Sequence, residues 1–211
     1  MPDAAVELVW SGRGLFVRGA DTRAHPVGTF PERTFVGIRF RTGAAADVLG
    51  LGGDELADAR VGVSELWGRA EMERLESRLA ASDSAEQSAA LLEDVVAARI
   101  REPPDPAVEA VVAKLRTARA PVRVAALADG VGLSERQLLR RCVTALGYGP
   151  KTLDRILRFQ RFRALAAAGG ADVRLAELAA RAGYADQPHL TRECVRLAGE
   201  TPAALVARAV G

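Results

Sequence analysis

Polar side chains able to hydrogen-bond to the edges of nucleic-acid bases recur at helical spacing in two stretches of this chain. In the first, Arg136 and Arg140 lie four residues apart, so a helix would place both on one exposed stripe. In the second, a helix would place Gln187, Thr191 and Arg192 on one side. Arginine can form a bidentate pair with O6 and N7 of guanine, and glutamine with N6 and N7 of adenine. The residue types and their spacing therefore indicate two surfaces suited to reading base pairs in the major groove of DNA.

The two stretches belong to one pattern that the sequence contains twice, over 127–153 and 178–205. Each copy begins with Leu-Ala, has a glycine five residues after that leucine, and continues with a leucine followed four positions later by a cysteine. The second copy has one extra residue after the glycine and then keeps the register to its final leucine. A repeat of this kind predicts one supersecondary unit that is formed twice.

The first copy is predicted to form two helices joined by a tight turn. A short helix over 124–130 precedes Gly132, where the turn needs a positive φ or a close approach. Ser134 is expected to cap a second helix over 135–146, which Gly147 ends. Helix, short turn and helix is the helix-turn-helix arrangement, whose second helix can enter the major groove.

The second copy predicts the same arrangement. A supporting helix over 175–182 is followed by Gly183 at the turn, Asp186 as N-cap of the next helix and Pro188 in its first turn. Between the copies, 152–168 is predicted to be one long helix that sets the distance between the two recognition helices. Its arginines are interpreted as a solvated face with some phosphate contacts. They are Arg155, Arg158, Arg161 and Arg163.

The two cysteines, Cys142 and Cys194, occupy equivalent positions in the repeat. Because both share the inward face with Leu138 and Leu190, small apolar core residues are a better interpretation than redox or metal sensors. No disulfide framework is indicated, and the two histidines, His25 and His189, are too far apart to suggest a metal site. His189 is a candidate for either a phosphate contact or a plain surface role.

The chain has 211 residues, a net charge of +2 and 49% hydrophobic residues, which is ordinary for a soluble globular protein. No apolar run reaches the length of a membrane span and no signal peptide is evident, so a cytoplasmic location is expected. Residues 105–211 contain 17 Lys and Arg against 10 Asp and Glu, whereas 1–104 contain 12 against 17. A basic half joined to an acidic half suggests a polyanion-binding module fused to another part, although the same charges could form only a solvated surface.

Residues 1–42 are predicted to form roughly three or four short strands, because β-forming runs near 6–10, 15–17 and 35–40 are separated by glycine and proline. Core packing is favoured over a ligand pocket for the large apolar side chains of this half. These side chains are Trp10, Phe40 and Trp67.

From residue 44 the pattern becomes helical, beginning with a short helix over 44–49. Ser64 is predicted to cap a turn, and Ser84 a longer helix that ends near Arg101. A proline-rich run, Pro103-Pro104-Asp105-Pro106, is the predicted boundary between a regulatory domain over 1–102 and a second domain over 105–211. In the second domain Asp105 is the expected N-cap and Pro106 the first helical residue.

The second domain resembles the DNA-binding domain of AraC-family transcriptional regulators. The residues that carry the resemblance are Leu127-Ala128, Gly132-Leu133-Ser134, Leu138, Arg140, Gly147, Pro150, Arg161, Leu178-Ala179, Gly183-Tyr184, Leu190, Arg192, Gly199 and Thr201-Pro202. The resemblance implies a bundle of about seven helices with two helix-turn-helix units that read adjacent major-groove segments.

The resemblance and the outward helix faces give a set of candidate DNA contacts. They are Arg136, Gln137, Leu139, Arg140, Gln187, Pro188, Thr191 and Arg192. Leu139 and Pro188 depart from the polar residues common at these positions, and can touch a thymine methyl group but cannot hydrogen-bond to a base edge. The inward aromatic residue usual after each reading stripe is here Cys142 or Cys194.

The N-terminal part is similar to the cupin-like sensory domain of one AraC subgroup, through VGIRFRTGA at Val36–Ala44 and VSELWG at Val63–Gly68. That domain usually begins several strands earlier. We therefore expect one of three situations: the barrel is incomplete, the given sequence starts late, or a partner chain covers the missing edges of the sheet. The predicted fold class is α+β: a small N-terminal sheet with helices, then an all-α domain with two helix-turn-helix motifs.

These features favour a bacterial-type transcription regulator, activator or repressor, that binds double-stranded DNA and is not an enzyme. Candidate further partners are RNA polymerase, a small-molecule effector and a second copy of the chain; no cofactor and no membrane are expected. A repair methyltransferase with a similar DNA-binding domain is disfavoured, because residues 1–121 contain no cysteine nucleophile. The remaining alternative is a helical module that binds only protein. DNA binding that weakens steeply with rising salt would exclude this alternative.

Overall fold

The computed structural model describes residues 1–25, 35–169 and 174–210. Its N-terminal half contains four strands: β1 (Glu7–Trp10), β2 (Leu15–Arg18), β3 (Val36–Arg39) and β4 (Arg60–Gly62). They form one antiparallel sheet in the order β3-β1-β2-β4, with Leu8 of β1 opposite both Val17 and Ile38. The predicted small sheet is confirmed, and β4 completes it.

Five helices follow or interleave with this sheet: α1 (Ala45–Leu49), α2 (Gly53–Leu56), α3 (Val63–Trp67), α4 (Arg69–Ala80) and α5 (Ala85–Ala97). The long helices α4 and α5 bury Met72, Leu75 and Leu92 in one core with Leu8 and Val17 of the sheet. The predicted packing role is confirmed for Trp10 and Phe40, which are buried. Trp67 is half-buried, and the Arg99 guanidinium lies 4.1 Å from its ring centroid.

Two predicted boundaries in this half are wrong. Ser64 is not a cap, because the chain passes directly from β4 into α3 with Gly62 as N-cap. Helix α5 ends at Ala97 rather than near Arg101. The backbone N–H groups of Arg101 and Glu102 instead donate to the Asp47 carboxylate, at 2.8 and 3.2 Å. These two hydrogen bonds lower the pKa of Asp47.

In the described part of the C-terminal half, 105–169 and 174–210, the expected seven helices are present: α6 (Pro106–Thr117), α7 (Val124–Asp129), α8 (Glu135–Leu146), α9 (Pro150–Gly169), α10 (Leu175–Ala182), α11 (Gln187–Ala198) and α12 (Pro202–Val210). Asp105 caps α6 by accepting from Ala107 and Val108, as predicted. Helix α9 is slightly longer than predicted and packs against α6, α8, α10, α11 and α12. Its Phe159 and Phe162 are fully buried, so α9 lies at the centre of this core.

The N-terminal half contacts the C-terminal ends of both predicted recognition helices. Gly53 of α2 packs so closely on α8 that an added Cβ would overlap the backbone of Leu146 and Gly147. The Ala24 N–H donates to the Leu197 carbonyl of α11 at 2.7 Å. Both contacts use main-chain atoms, so they fix backbone positions at the two helix ends.

The cysteines are core residues, as predicted: Cys142 and Cys194 are fully buried. Burial and the nearby Asp105 raise the pKa of the Cys142 thiol to about 11. Burial and Glu193 raise the pKa of Cys194 to about 12. Because the thiolate is the reactive form, both positions are chemically quiet at neutral pH.

We expect Gly53→Ala to destabilise the protein by about 1–3 kcal/mol, since the new methyl group overpacks a backbone contact between the halves. Gly14→Ala is the matched control, because its Cβ would meet only Glu76 Oε1 at an ordinary 3.7 Å. Urea unfolding of the two variants measures the difference. Equal stabilities would contradict the close packing of α2 on α8.

We also expect both thiols to react with iodoacetamide at pH 8 at least about 100-fold more slowly in the native protein than in the unfolded chain. The reason is burial together with the raised pKa values. The measurement is mass-resolved labelling with and without denaturant. Native-state labelling as fast as in urea would show that the cysteines are accessible and not part of the core.

Candidate nucleic-acid interface

The two turns of the repeat have the same hydrogen bond. The Leu133 N–H donates to the Ala128 carbonyl at 3.0 Å, and the Tyr184 N–H donates to the Ala179 carbonyl at 2.9 Å. Gly132 and Gly183 have φ values of 66° and 90°, a left-handed conformation that glycine adopts without steric cost. The repeated sequence therefore folds as a repeated helix-turn-helix geometry.

The N-caps of α8 and α11 form as the sequence predicts. Ser134 accepts from the Gln137 N–H at 3.3 Å, and Gln137 Oε1 accepts from the Ser134 N–H at 2.9 Å, which makes a capping box. Asp186 accepts from the His189 N–H at 2.6 Å. Ala185 is the extra residue of the second turn, and its N–H donates to His189 Nδ1 at 3.5 Å.

Helix α8 exposes every candidate contact that was predicted on it: Arg136, Gln137, Leu139 and Arg140. Leu138 lies on the opposite face and is fully buried, as is Cys142. Within 1–25, 35–169 and 174–210, the guanidinium groups of Arg136 and Arg140 have no hydrogen bond and no ion pair. Leu139 is 49% exposed, which is unusual for a leucine and places an apolar group beside the two arginines. Gln137 uses its carbonyl oxygen in the cap, while its amide nitrogen has no partner among the same residues.

Helix α11 exposes Gln187, Pro188 and Arg192, whereas Thr191 is half-buried. The Thr191 hydroxyl donates to the Gln187 carbonyl at 3.0 Å, one turn earlier in the same helix. Arg192 has no hydrogen bond or ion pair with any residue that the structure describes. His189 is half-buried, with its ring edge-on to Tyr184 at 5.2 Å, so it supports the start of α11.

The arginines of α9 were predicted to form a solvated face with some phosphate contacts. Three of the four instead form hydrogen bonds or ion pairs with other groups of the protein. Arg155 pairs with Glu193 of α11 at 2.8 Å, and Arg158 pairs with Asp154. Arg161 donates to the carbonyls of Ala182, Leu115 and Arg116 at 3.1–3.2 Å. The sequence could not show this, since all of these partners except Asp154 lie on other helices. Arg163 is exposed and lies 3.4 Å from Gln160.

Two further exposed residues of α11 were not among the predicted DNA contacts. They are Val195, which is 50% exposed, and the neighbouring Arg196. Both lie nearer the C-terminal end of α11 than the predicted contacts. The signal that could have indicated them is the same helical spacing, since Arg196 follows Arg192 by one turn.

A cluster of three side chains with metal-ligating atoms was also missed: Asp21, His25 and Asp58, within 4.8 Å of one another. Asp58 is far from His25 in sequence, so spacing alone does not reveal the cluster. Arg60 donates to both Asp21 oxygens, at 3.0 and 3.2 Å, and Thr22 donates to both Asp58 oxygens, at 2.8 and 2.6 Å. Partial burial acts to raise the pKa of Asp58, but the hydrogen bonds from Thr22 and His25 outweigh it and lower the pKa. These partners explain the cluster as a contact that stabilises the fold.

No helix in the described residues is long and apolar enough to cross a lipid bilayer. A search of curated proteins finds no match to the chain. Among solved structures, the chain is similar to apo ToxT from Vibrio cholerae, in a single-residue variant. The identity is 12%, the coverage is 98% of this chain and 89% of that one, and the TM-score is 0.52. At this identity the likeness concerns the fold alone.

Two shorter structures match about half of the chain. One is a probable AraC family transcriptional regulator from Rhodopseudomonas palustris, with 22% identity, 51% of this chain and 100% of that chain covered, and a TM-score of 0.45. The other is a transcriptional regulator with an AraC-type DNA-binding domain from Chromobacterium violaceum, with 23% identity, 49% and 92% coverage, and a TM-score of 0.45.

The family model described as "Helix-turn-helix domain" matches residues 127–208, which span both turns and both exposed helices. The matched segment begins at the first Leu-Ala pair of the repeat and ends within α12. Together with the doubled motif, this match shows that residues 127–208 form a helix-turn-helix domain, in which the second helix of each unit can enter the major groove of DNA.

Proposed function

We propose that the chain binds a specific duplex sequence by placing α8 and α11 in two adjacent segments of the major groove. The observation that carries the proposal is that Arg136, Arg140 and Arg192 have no partner inside the described protein, although they lie on the outward faces of the two second helices. By contrast, Arg155, Arg158 and Arg161 of α9 bond to other groups of the protein. Unpaired guanidinium groups on a recognition helix are suited to bidentate contacts with guanine.

The remaining candidate contacts divide by chemistry. Gln187 can form a bidentate pair with adenine, and the Gln137 amide nitrogen can donate to a base or a phosphate while its oxygen stays in the cap. Leu139 and Pro188 offer apolar contact to thymine methyl groups. Thr191 contributes its methyl group more readily than its hydroxyl, because the hydroxyl already donates to Gln187.

The two recognition helices are expected to lie roughly 34 Å apart, which is one turn of the duplex. Helix α9 supports this spacing, since it packs against both α8 and α11 and its Arg155 pairs with Glu193 of α11. A rigid connection of this kind would favour DNA in which both segments lie on one face.

The N-terminal part, over 1–102, is proposed to regulate the DNA-binding domain over 105–211, through a small-molecule effector or through dimerisation. Its contacts at the C-terminal ends of α8 and α11 support this, because a shift of the N-terminal half would act on both helices. An open cleft of about 630 Å³ lined by Trp10, Arg13 and Ser84 offers an effector site. RNA polymerase is a further proposed partner, and the cytoplasm the proposed location.

We predict that Arg140→Ala and Arg192→Ala each weaken binding to the specific duplex by about 1–3 kcal/mol, which is the contribution of one bidentate base contact. Fluorescence anisotropy with a duplex selected from a random-sequence pool measures the loss. Arg78→Ala on α4 is the matched control, because it also removes an exposed arginine but lies in the N-terminal half.

Random-sequence DNA provides the second arm of this experiment. A loss on random DNA equal to that on the selected duplex would show that the two arginines contact phosphates and not bases. Affinity that does not fall with rising salt would contradict DNA binding altogether and favour the protein-binding alternative.

A further inference from the structure

Four arginines line one open cleft of about 790 Å³ on the C-terminal half, away from the exposed stripes of α8 and α11. Arg116 and Arg119 come from the end of α6 and the segment after it, Arg161 from α9 and Arg181 from the end of α10. Leu165 and Ala180 supply apolar surface between them. We call this site the arginine cleft; its volume is in the range of small-molecule sites.

The positive charge of the arginine cleft is poorly compensated. No carboxylate is among the described residues that line it. Arg161 donates to main-chain carbonyls alone, and Arg116 donates to Thr42 Oγ1 at 3.2 Å. Arg181 lies 3.5 Å from Glu177, but both side chains are more than half exposed, and such exposed pairs contribute little. For Arg119, no side-chain hydrogen bond or ion pair is present within the described ranges.

The arginines of the cleft surround one concave surface, and the charge of Arg119 acts on Arg161. Gly183 lies next to two of them: a Cβ added there would be 2.9 Å from the main-chain carbonyl oxygen of Arg119 and 3.7 Å from the Arg161 guanidinium. Burial lowers the pKa of Arg161; the Asp154 charge opposes this, while the positive charges of Arg158 and Arg119 lower it further. The protein thus concentrates like charges around one concave surface, which a bound anion would stabilise.

We propose that the arginine cleft binds a small ligand that carries several phosphate groups. Planar guanidinium groups match phosphoryl oxygens in bidentate geometry, and several arginines suit several phosphates. The concave shape favours a small molecule over a duplex, because Arg161 lies half-buried with its N–H groups directed to helix ends. The source is either an inorganic polyphosphate or a nucleoside polyphosphate, whose base would rest on Leu165 and Ala180.

The location gives such a ligand access to both parts of the protein. Helix α10 is the supporting helix of the second helix-turn-helix unit, and Arg116 contacts Thr42 of the N-terminal half. The site shares no residue with the proposed base-reading surface. Its test is therefore independent of the proposed function.

The experiment is isothermal titration of the full chain with inorganic tripolyphosphate and with ATP at physiological ionic strength. The double variant Arg119→Gln and Arg181→Gln removes two exposed guanidinium groups without removing the hydrogen bonds of Arg161. We expect one binding site, and an affinity at least about tenfold weaker in this variant. Arg116→Gln serves as a second variant if the double variant has a lowered melting temperature.

The matched control is the double variant Arg74→Gln and Arg78→Gln, which removes two exposed arginines from α4 and should leave tripolyphosphate affinity within about twofold of the wild type.

Tighter binding of ATP than of tripolyphosphate would assign a nucleoside polyphosphate, and equal binding an inorganic one. Absence of binding, or equal losses in both double variants, would overturn the proposal. The proposal would also be overturned if the cleft variant left tripolyphosphate affinity unchanged but weakened DNA binding and made that binding less dependent on salt. The arginines would then contact the DNA backbone.

Discussion

The burial of α9 between the two helix-turn-helix units is the constraint on which the rest of the C-terminal half depends. Phe159 and Phe162 exclude water from its centre, and α9 packs against five of the other helices of this half. Polar contacts then orient the units on this core. Arg161 connects the ends of α6 and α10, while Arg155 connects α9 to α11. Because close-packed interiors deform little, the relative position of α8 and α11 follows from the packing of one helix.

The same packing separates the arginines into two groups with different roles. Arg155, Arg158 and Arg161 of α9 form ion pairs and helix-end hydrogen bonds, and they stabilise the fold. Arg136, Arg140 and Arg192 lie on the opposite faces from Leu138, Leu190 and the two cysteines, and they have no hydrogen bond or ion pair with the residues that the structure describes. The charge excess of this half is therefore partly structural, and composition alone overstates the surface that DNA can contact.

Local signals in the sequence predicted much of the fold and the outward faces of the candidate site. The repeat predicted both turns, and N-cap residues such as Ser134 and Asp186 predicted where α8 and α11 begin, because caps and helical spacing act within a few residues. Contacts between distant residues were beyond this reasoning. They include the hydrogen bonds that the chain after α5 donates to Asp47, the pairing of Arg155 with Glu193, and the packing of the unpredicted helix α2 on α8. The arginine cleft belongs to the same class, since three separate helices contribute to it.

The proposed function requires that α9 positions α8 and α11 to read two neighbouring major-groove segments on one face of the duplex. Dimethyl sulfate interference on a selected duplex tests it most directly, because methylation at guanine N7 blocks major-groove contacts. We expect interference at two clusters of guanines whose centres are about 10 base pairs apart. A single cluster, or two clusters on opposite faces of the duplex, would contradict it.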